Sequence, residues 1–504
     1  MLMRHCPHRS VQLACTVIMA LFAAGCASVW PAGSGTRAIA ALPPELADCA
    51  AAFNAADRST AAMGVRDAQD SPVAGFQWLR SNRHLASYAD ELATPNSVDT
   101  WLSRLRERDI EARTIEALNG HPDQRQMLAR LDDCGRQLIR HDRDSPERLA
   151  AIRAAAAVPD SYSSAARALG LYPLTRLGVA AGVARWEDSA SRRLANPPAF
   201  DPQTPTIRYG IDHSRRGDAL LARLMSTRRV DSLGITVLTD DAQAWLLAEH
   251  APDFIVAQGG PFDEIGRIGL DTDARPMLDR SAPAIYARVA HTRHGDRSLI
   301  QLVYTVWFNE RPPLGPLDIY AGQLDGVTVR LTLDRQGRPA VIDSIHPCGC
   351  YHMFVATDVA RPRPVPDHVQ SWEEWRFMPT SLPIPGTDER LVVSIDSASH
   401  QVSGLSFEAT STSARRQATL VSADRLRSLP LGDASTPTRA PRSRSLYRAD
   451  GLVAGSERLE RFILWPMGIR SAGAMRQWGH QATAFVGRRH FDDARLIEER
   501  FDIP

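Results

Sequence analysis

The densest set of chemically useful side chains is SIHPCGCYHMF, Ser344 to Phe354, where His346, Cys348, Cys350 and His352 fall at every second position. Imidazole and thiolate together suit zinc or copper. The spacing is neither the C-x-x-C-H of a haem attachment nor the paired C-x-x-C of a zinc knuckle. On a regular strand the four share one face, yet at ~3.3 Å per residue His346 and His352 stand about 20 Å apart. Zinc–ligand bonds are only ~2.0–2.3 Å, so four ligands cannot converge from one straight strand. Cys348 and Cys350 form the close pair, and Pro347 and Gly349 allow a bend or bulge. Further ligands would come from His480 or His490 in the C-terminal segment, or from His291 and His294 on a neighbouring hairpin. A catalytic version of this site would be metal-assisted hydrolysis, the metal activating water. Two other readings stay open. One is a strained Cys348–Cys350 disulfide that exchanges with thiols. The other is histidine and cysteine packed in a sheet with no chemistry.

Absences narrow the rest. All 59 residues counted as lysine or arginine are arginine. That excludes a P-loop lysine, the strand lysine of a protein kinase and a Schiff-base lysine. There is no G-x-S-x-G, H-E-x-x-H or G-x-G-x-x-G. Asp271 and Asp273 lack the glycine and terminal glutamate of a calcium loop and read as a turn. GRRHFDD, Gly487 to Asp493, could bind an anion but reads better as a surface salt-bridge cluster.

The N-terminus speaks to location. Arg4 and Arg9 precede VQLACTVIMALFAAG, an uncharged run of fifteen residues. A membrane span needs about 20 apolar residues, so this run reads instead as a secretory signal. Its end, LFAAGC, resembles the lipobox of bacterial lipoproteins, although Ala23 stands where that family more often has leucine. The resemblance implies cleavage before Cys26 and a diacylglycerol on its thiol, with fatty acids such as palmitate anchoring the chain to a membrane. An ordinary signal peptide cleaved nearby is the alternative. Ala27 follows Cys26 where an aspartate would favour the inner membrane, so the resemblance leans to the outer membrane, facing the periplasm. It covers only the first 26 residues and implies no activity. Removing the signal leaves 479 residues and turns the net charge of +1 into about −1. Such a chain has no electrostatic footprint for nucleic acid, and an envelope protein partner is the more natural expectation.

Positioning these residues requires an α+β architecture. Residues 1–25 are the signal and 26–43 a tether. Residues 44–195 form a helical domain and 207–429 a mixed, mainly antiparallel β domain. Residues 430–445 are a linker and 446–504 a mixed C-terminal segment. Leu46, Cys49, Ala50 and Phe53 lie on one helix face, as do Met127, Leu131, Cys134 and Leu138. Cys49 and Cys134 therefore point into one apolar seam, and in an oxidising compartment they are expected to pair. From Pro283 onward, RHGD and RQGRP are turns between alternating runs, with Gly337 in the second. The same pattern continues through SIHPCGCYHMF, which is expected to lie along a strand.

The function these features imply is a lipid-anchored envelope protein whose β domain binds a ligand or metal. Non-enzymatic scaffolding and thiol–disulfide chemistry at Cys348 and Cys350 are the alternatives.

Overall fold

The computed structural model describes residues 42–120, 122–195, 204–212, 218–409, 415–432 and 442–504. The signal, Cys26, the tether up to residue 41 and most of the 430–445 linker lie outside the described residues. What is described is α+β, as expected, with helices first and strands after.

Helices α1 (Pro44–Ala62), α2 (Pro95–Asn119), α3 (Pro122–Asp144) and α4 (Pro146–Ala155) close on a core that includes Phe53, Trp101 and Leu138. Their starts follow local chemistry. Thr94 accepts from the Ser97 amide in a capping box, and Ser145 accepts from the Arg148 amide. The Cys49–Cys134 disulfide joins α1 to α3, with Cα atoms 5.2 Å apart. A short hairpin, β1 (Ser71–Val73) and β2 (Phe76–Ser81), interrupts this region. Its Trp78 fills the helical core, and its indole donates to Asp142 at 2.8 Å.

Helix α5 (Ser164–Leu169) leads into α6 (Tyr172–Ala195), which leaves the bundle. Ala190 and Leu194 pack into the core of the strand region. That region is built on two sheets. The larger contains β5 (Ala284–His294), β6 (Arg297–Arg311), β7 (Gly322–Leu333), β8 (Pro339–Ile345) and β9 (Met353–Thr357), paired in sequence order and antiparallel. Parallel edge strands β10 (Thr380–Leu382) and β14 (Thr419–Ser422) complete its seven. The smaller sheet runs β12 (Val402–Ala409), β11 (Glu389–Ile395), β4 (Asp253–Ala257), β3 (Thr206–Gly210) and β13 (Arg416–Gln417). Phe254, Ile285, Leu302, Tyr304, Val329 and Val393 form the core around these two sheets. Helix α7 (Asp240–Glu249), capped by Thr239 as expected, packs on β5.

The expected hairpins are present. RHGD turns β5 into β6, and RQGRP turns β7 into β8 with Gly337 at φ 85°. The continuous strand through SIHPCGCYHMF is not. Strand β8 stops at Ile345, β9 begins at Met353, and Ser344 pairs with Met353 across the gap. The motif is a hairpin loop.

The C-terminal segment is mostly turns with one short helix, α8 (Arg461–Leu464), and it laces the two regions together. Its Asp492 binds Arg83 of the helical region at 2.9 Å. Nearby, Arg427 grips Asp67 through two hydrogen bonds.

Candidate functional site

The hairpin loop folds tightly on itself. The His346 amide donates to the Cys350 carbonyl at 3.0 Å, and the Gly349 amide donates to the His346 carbonyl at 2.7 Å. Gly349 sits at φ 95°, and a Cβ there would lie 2.3 Å from the Ala482 carbonyl oxygen. Only glycine fits. Arg476 fastens the loop from outside, donating through its amide to the Pro347 carbonyl and through Nε to the Cys348 carbonyl.

The turn separates the four expected ligands. Cys348 and Cys350 are both free, buried thiols, and the Cys350 amide donates to Cys348 Sγ at 3.4 Å. The bond to Cys348, with burial, pushes the Cys350 thiol well above its ordinary value, so it stays protonated. His352 turns to Asp343, 3.1 Å away, whose carboxylate is also held by Arg330. Burial lowers His352 to about 3. His346 turns to Asp325 at 3.3 Å. His480 bonds the Ala68 carbonyl at 2.7 Å, and His490 sits between Asp160 and Asp493. Each imidazole has its own oxygen partner. Among the described residues, no three His, Cys, Asp or Glu side chains gather as a metal site. The candidate ligand pair Cys348 and Cys350 and its candidate partners His346, His352, His480 and His490 are thus not brought together into one site, and Cys348 and Cys350 are not bonded to each other.

His346 instead begins a buried polar chain. Asp325 bridges His346 to His400 Nδ1, 2.9 Å away, and His400 Nε2 lies 3.3 Å from Asp263. Asp263 accepts from Ser397 Oγ, the Ala398 amide and the Gly259 amide at 2.6–2.7 Å. Arg458 reaches Asp325 at 3.1 Å, and the His400 ring stacks on Phe308 at 3.8 Å. Burial works against ionising Asp325, but Arg458 and the two histidines outweigh it and hold the carboxyl well below its usual range. Burial likewise opposes protonation of His400, and its bonds to Asp263 and Asp325 overcome that and raise it. Two carboxylates are thus balanced by one imidazolium and one guanidinium. His346, lowered by burial, is neutral, and its Nε2 has no partner among the described residues. Leu324, Tyr351, Ala398 and His400 adopt positive φ here. Such backbone persists only where packing over-determines it. The space beside His346 is only about 10 Å³, under Trp186 and Tyr351. That holds at most one water, and the cluster is sealed from substrate.

An accessible site lies elsewhere. A cleft of about 710 Å³ opens between the helical region and the larger sheet. Strands β5 and β14 line it with Arg288, His291 and Val421, α2 with Arg104 and Arg108, and α7 with Gln243 and Leu247. Asn82, His84 and Trp478 complete its wall. His84 and His291 stack at 5.7 Å, and His84 Nε2 shares a hydrogen bond with Ser298 Oγ at 2.8 Å. Burial lowers both, His291 to about 4, so both rings are neutral. Arg104 is paired with Asp231 and Arg108 with Glu111. The acids Asp424 and Asp492 are answered by Arg427 and Arg83. Arg288 differs. It donates to Gln69 at 2.9 Å and lies over the Trp478 ring at 5.2 Å, with no carboxylate at ion-pair distance among the described residues. Its Nε is buried without a partner.

Of the histidines considered in the sequence, only His291 belongs to this cleft. Arg288, His84, Arg104, Arg108 and Trp478 carry no spacing signal, because the cleft assembles them from segments up to several hundred positions apart. No family model matches the chain, and no curated protein or solved structure matches it either.

Proposed function

We propose that this chain is a lipid-anchored protein of the bacterial cell envelope that binds a small anionic ligand in the cleft between its helical region and its larger sheet. The carrying observation is Arg288, a guanidinium with no carboxylate at ion-pair distance among the described residues, Asp424 of the same wall acting on it only through space, backed by the Trp478 face in a cleft of about 710 Å³. That volume is in the range of small-molecule sites, about 300–1,000 Å³. An arginine fork matches a carboxylate or phosphate in two parallel hydrogen bonds. Neutral His291, whose Nε2 has no partner among the described residues, offers a hydrogen bond to an uncharged group of the same ligand, and Leu247 and Val421 contact its apolar part.

The reading of the anchor rests on the N-terminal resemblance, and the two halves are tested apart. Thermal unfolding is followed against a panel of small carboxylates and phosphate esters. Ligands that raise the melting temperature should lose that effect in Arg288→Ala. A panel that never shifts the parent protein, or shifts both proteins alike, sinks the cleft reading. Palmitate labelling in cells should require Cys26, and labelling that survives Cys26→Ala removes the anchor.

A further inference from the structure

The largest exposed apolar side chains are concentrated on one part of the surface. Leu169 and Leu171 at the α5–α6 junction, with Leu174 on the first turn of α6, point away from the protein. Phe462, Ile463 and Trp465 do the same on and after α8. The two groups adjoin, because the α5–α6 junction packs on residues 465–467 and the Ser163 amide donates to the Gly468 carbonyl. A third segment, the loop after β6, adds Leu314 and Leu317. It is tied to the same place by the Glu460 amide, which donates to the Ile319 carbonyl at 3.1 Å. Contiguous apolar surface of this kind marks an interaction site.

We infer that this surface docks on an anionic lipid bilayer. Its shape is the first argument. Leu317 is 89 % exposed, Leu169 68 % and Phe462 63 %, so the adjoining side chains protrude from the surface. Protruding leucine and aromatic side chains enter the interfacial layer of a membrane, where tryptophan is at home. Charge is the second. From Ser163 to Arg185 the charged residues are Arg167, Arg176 and Arg185, with no acid. Between Arg458 and Arg470 the one acid, Glu460, is buried, while Arg461 and Arg470 reach the surface, Arg470 paired there with Asp450 at 3.0 Å. In the loop, Asp318 keeps its negative charge, its carboxylate accepting from the Leu314 and Tyr320 amides. Arg167, Arg176, Arg185 and Arg461 outnumber it across the three segments, so the rim is basic on balance and complementary to anionic headgroups. Reach is the third, and it rests on the envelope reading above. Fifteen residues separate Cys26 from Leu42. They span at most about 50 Å, so an anchored chain stays close to the bilayer.

The test uses the unlipidated chain from Ala27, which retains every described residue. It should pellet with vesicles of phosphatidylethanolamine and phosphatidylglycerol, and much less with phosphatidylcholine alone. Each large apolar side chain contributes about tenfold or more to partitioning. Leu317→Asp combined with Phe462→Asp should therefore weaken pelleting by ~100-fold. Both side chains are exposed, so thermal unfolding should not change. Failure of the parent chain to pellet overturns the inference, as does pelleting indifferent to the substitutions. A parent dimer that the same substitutions convert to monomer overturns it too, and assigns the surface to a second copy of the chain. Because no lipid is attached in this assay, its failure is distinct from a failure of the Cys26 labelling.

Discussion

At the residue scale, the chemistry that looked like metal ligation is buried charge balance. Asp325 receives Arg458, His346 and His400 in a site closed to solvent. Removing one partner from a buried ionic network leaves the others uncompensated, at about 3–5 kcal/mol. Asp325→Asn should therefore lower the urea midpoint by a comparable free energy, and a change below ~1 kcal/mol, the scale of a surface ion pair, would show that the cluster holds nothing together. The thiols make a second test. Cys348 and Cys350 are buried, and Cys350 is held protonated, so in the chain from Ala27 a chromogenic thiol reagent should find none in the native protein. After denaturation without reductant it should find these two, Cys49 and Cys134 being paired. Fast native reaction would revive a redox role. No thiol after denaturation would mean that Cys348 and Cys350 pair.

At the scale of elements, sequence periodicity was readable wherever a segment has one buried face. The β5–β6 and β7–β8 hairpins, α2 ending at Asn119 and the Thr239 cap all follow from local pattern. SIHPCGCYHMF misled because strand alternation continues through a turn. Its His–Cys–Cys–His period of two matches a strand, while Pro347 and the positive φ of Gly349 and Tyr351 reverse the chain. Hairpin β1–β2 was hidden because two strands this short carry too little alternation to register. The cleft was illegible for another reason: Arg288, Arg104 and Trp478 are ordinary in sequence and meet only through tertiary packing. The expected seam between Cys49 and Cys134 is real, and it closes a separation of 85 residues. Loop-closure entropy puts its contribution at about 4.6 kcal/mol, with ~2–5 typical on removal. Replacing both by serine should lower the melting temperature and shift the urea midpoint accordingly. A shift equivalent to less than ~1 kcal/mol would mean that α1 and α3 are held by packing alone.

At the scale of the whole molecule, a chain whose basic side chains are all arginine holds its regions together with fixed guanidinium–carboxylate pairs, and its histidines add a pH response. Burial lowers His84, His291, His294, His346, His352 and His480 in the folded state, to about 4 for His291 and about 3 for His352. An unfolded histidine titrates near 6.5. Between that value and the folded ones, these rings bind more protons in the unfolded chain, so their contribution to stability must fall as pH drops. His400 has the opposite sign. Raised by Asp263 and Asp325 against its burial, it stabilises fully below about 6.5 and loses that contribution as pH rises through its folded value. Burial also raises carboxyls, Glu187 and Glu460 to about 7 and Asp70, Asp142 and Glu374 above their ordinary values, so the fold takes up protons there and gains stability as pH drops. The depressed carboxyls of Asp325 and Asp343 begin to matter only below about 3.8. The histidine contribution is the loss of stability from about pH 6.5 to 4.5 that a variant lacking one ring shares less, and urea midpoints of parent and variant across this range read it directly. His291→Gln should flatten it, since glutamine keeps a polar side chain at the cleft and removes one proton-binding site. A pH dependence that is unchanged in His291→Gln would mean that this ring is charged in the fold, and the neutral His84–His291 pair assigned to the cleft would fall with it.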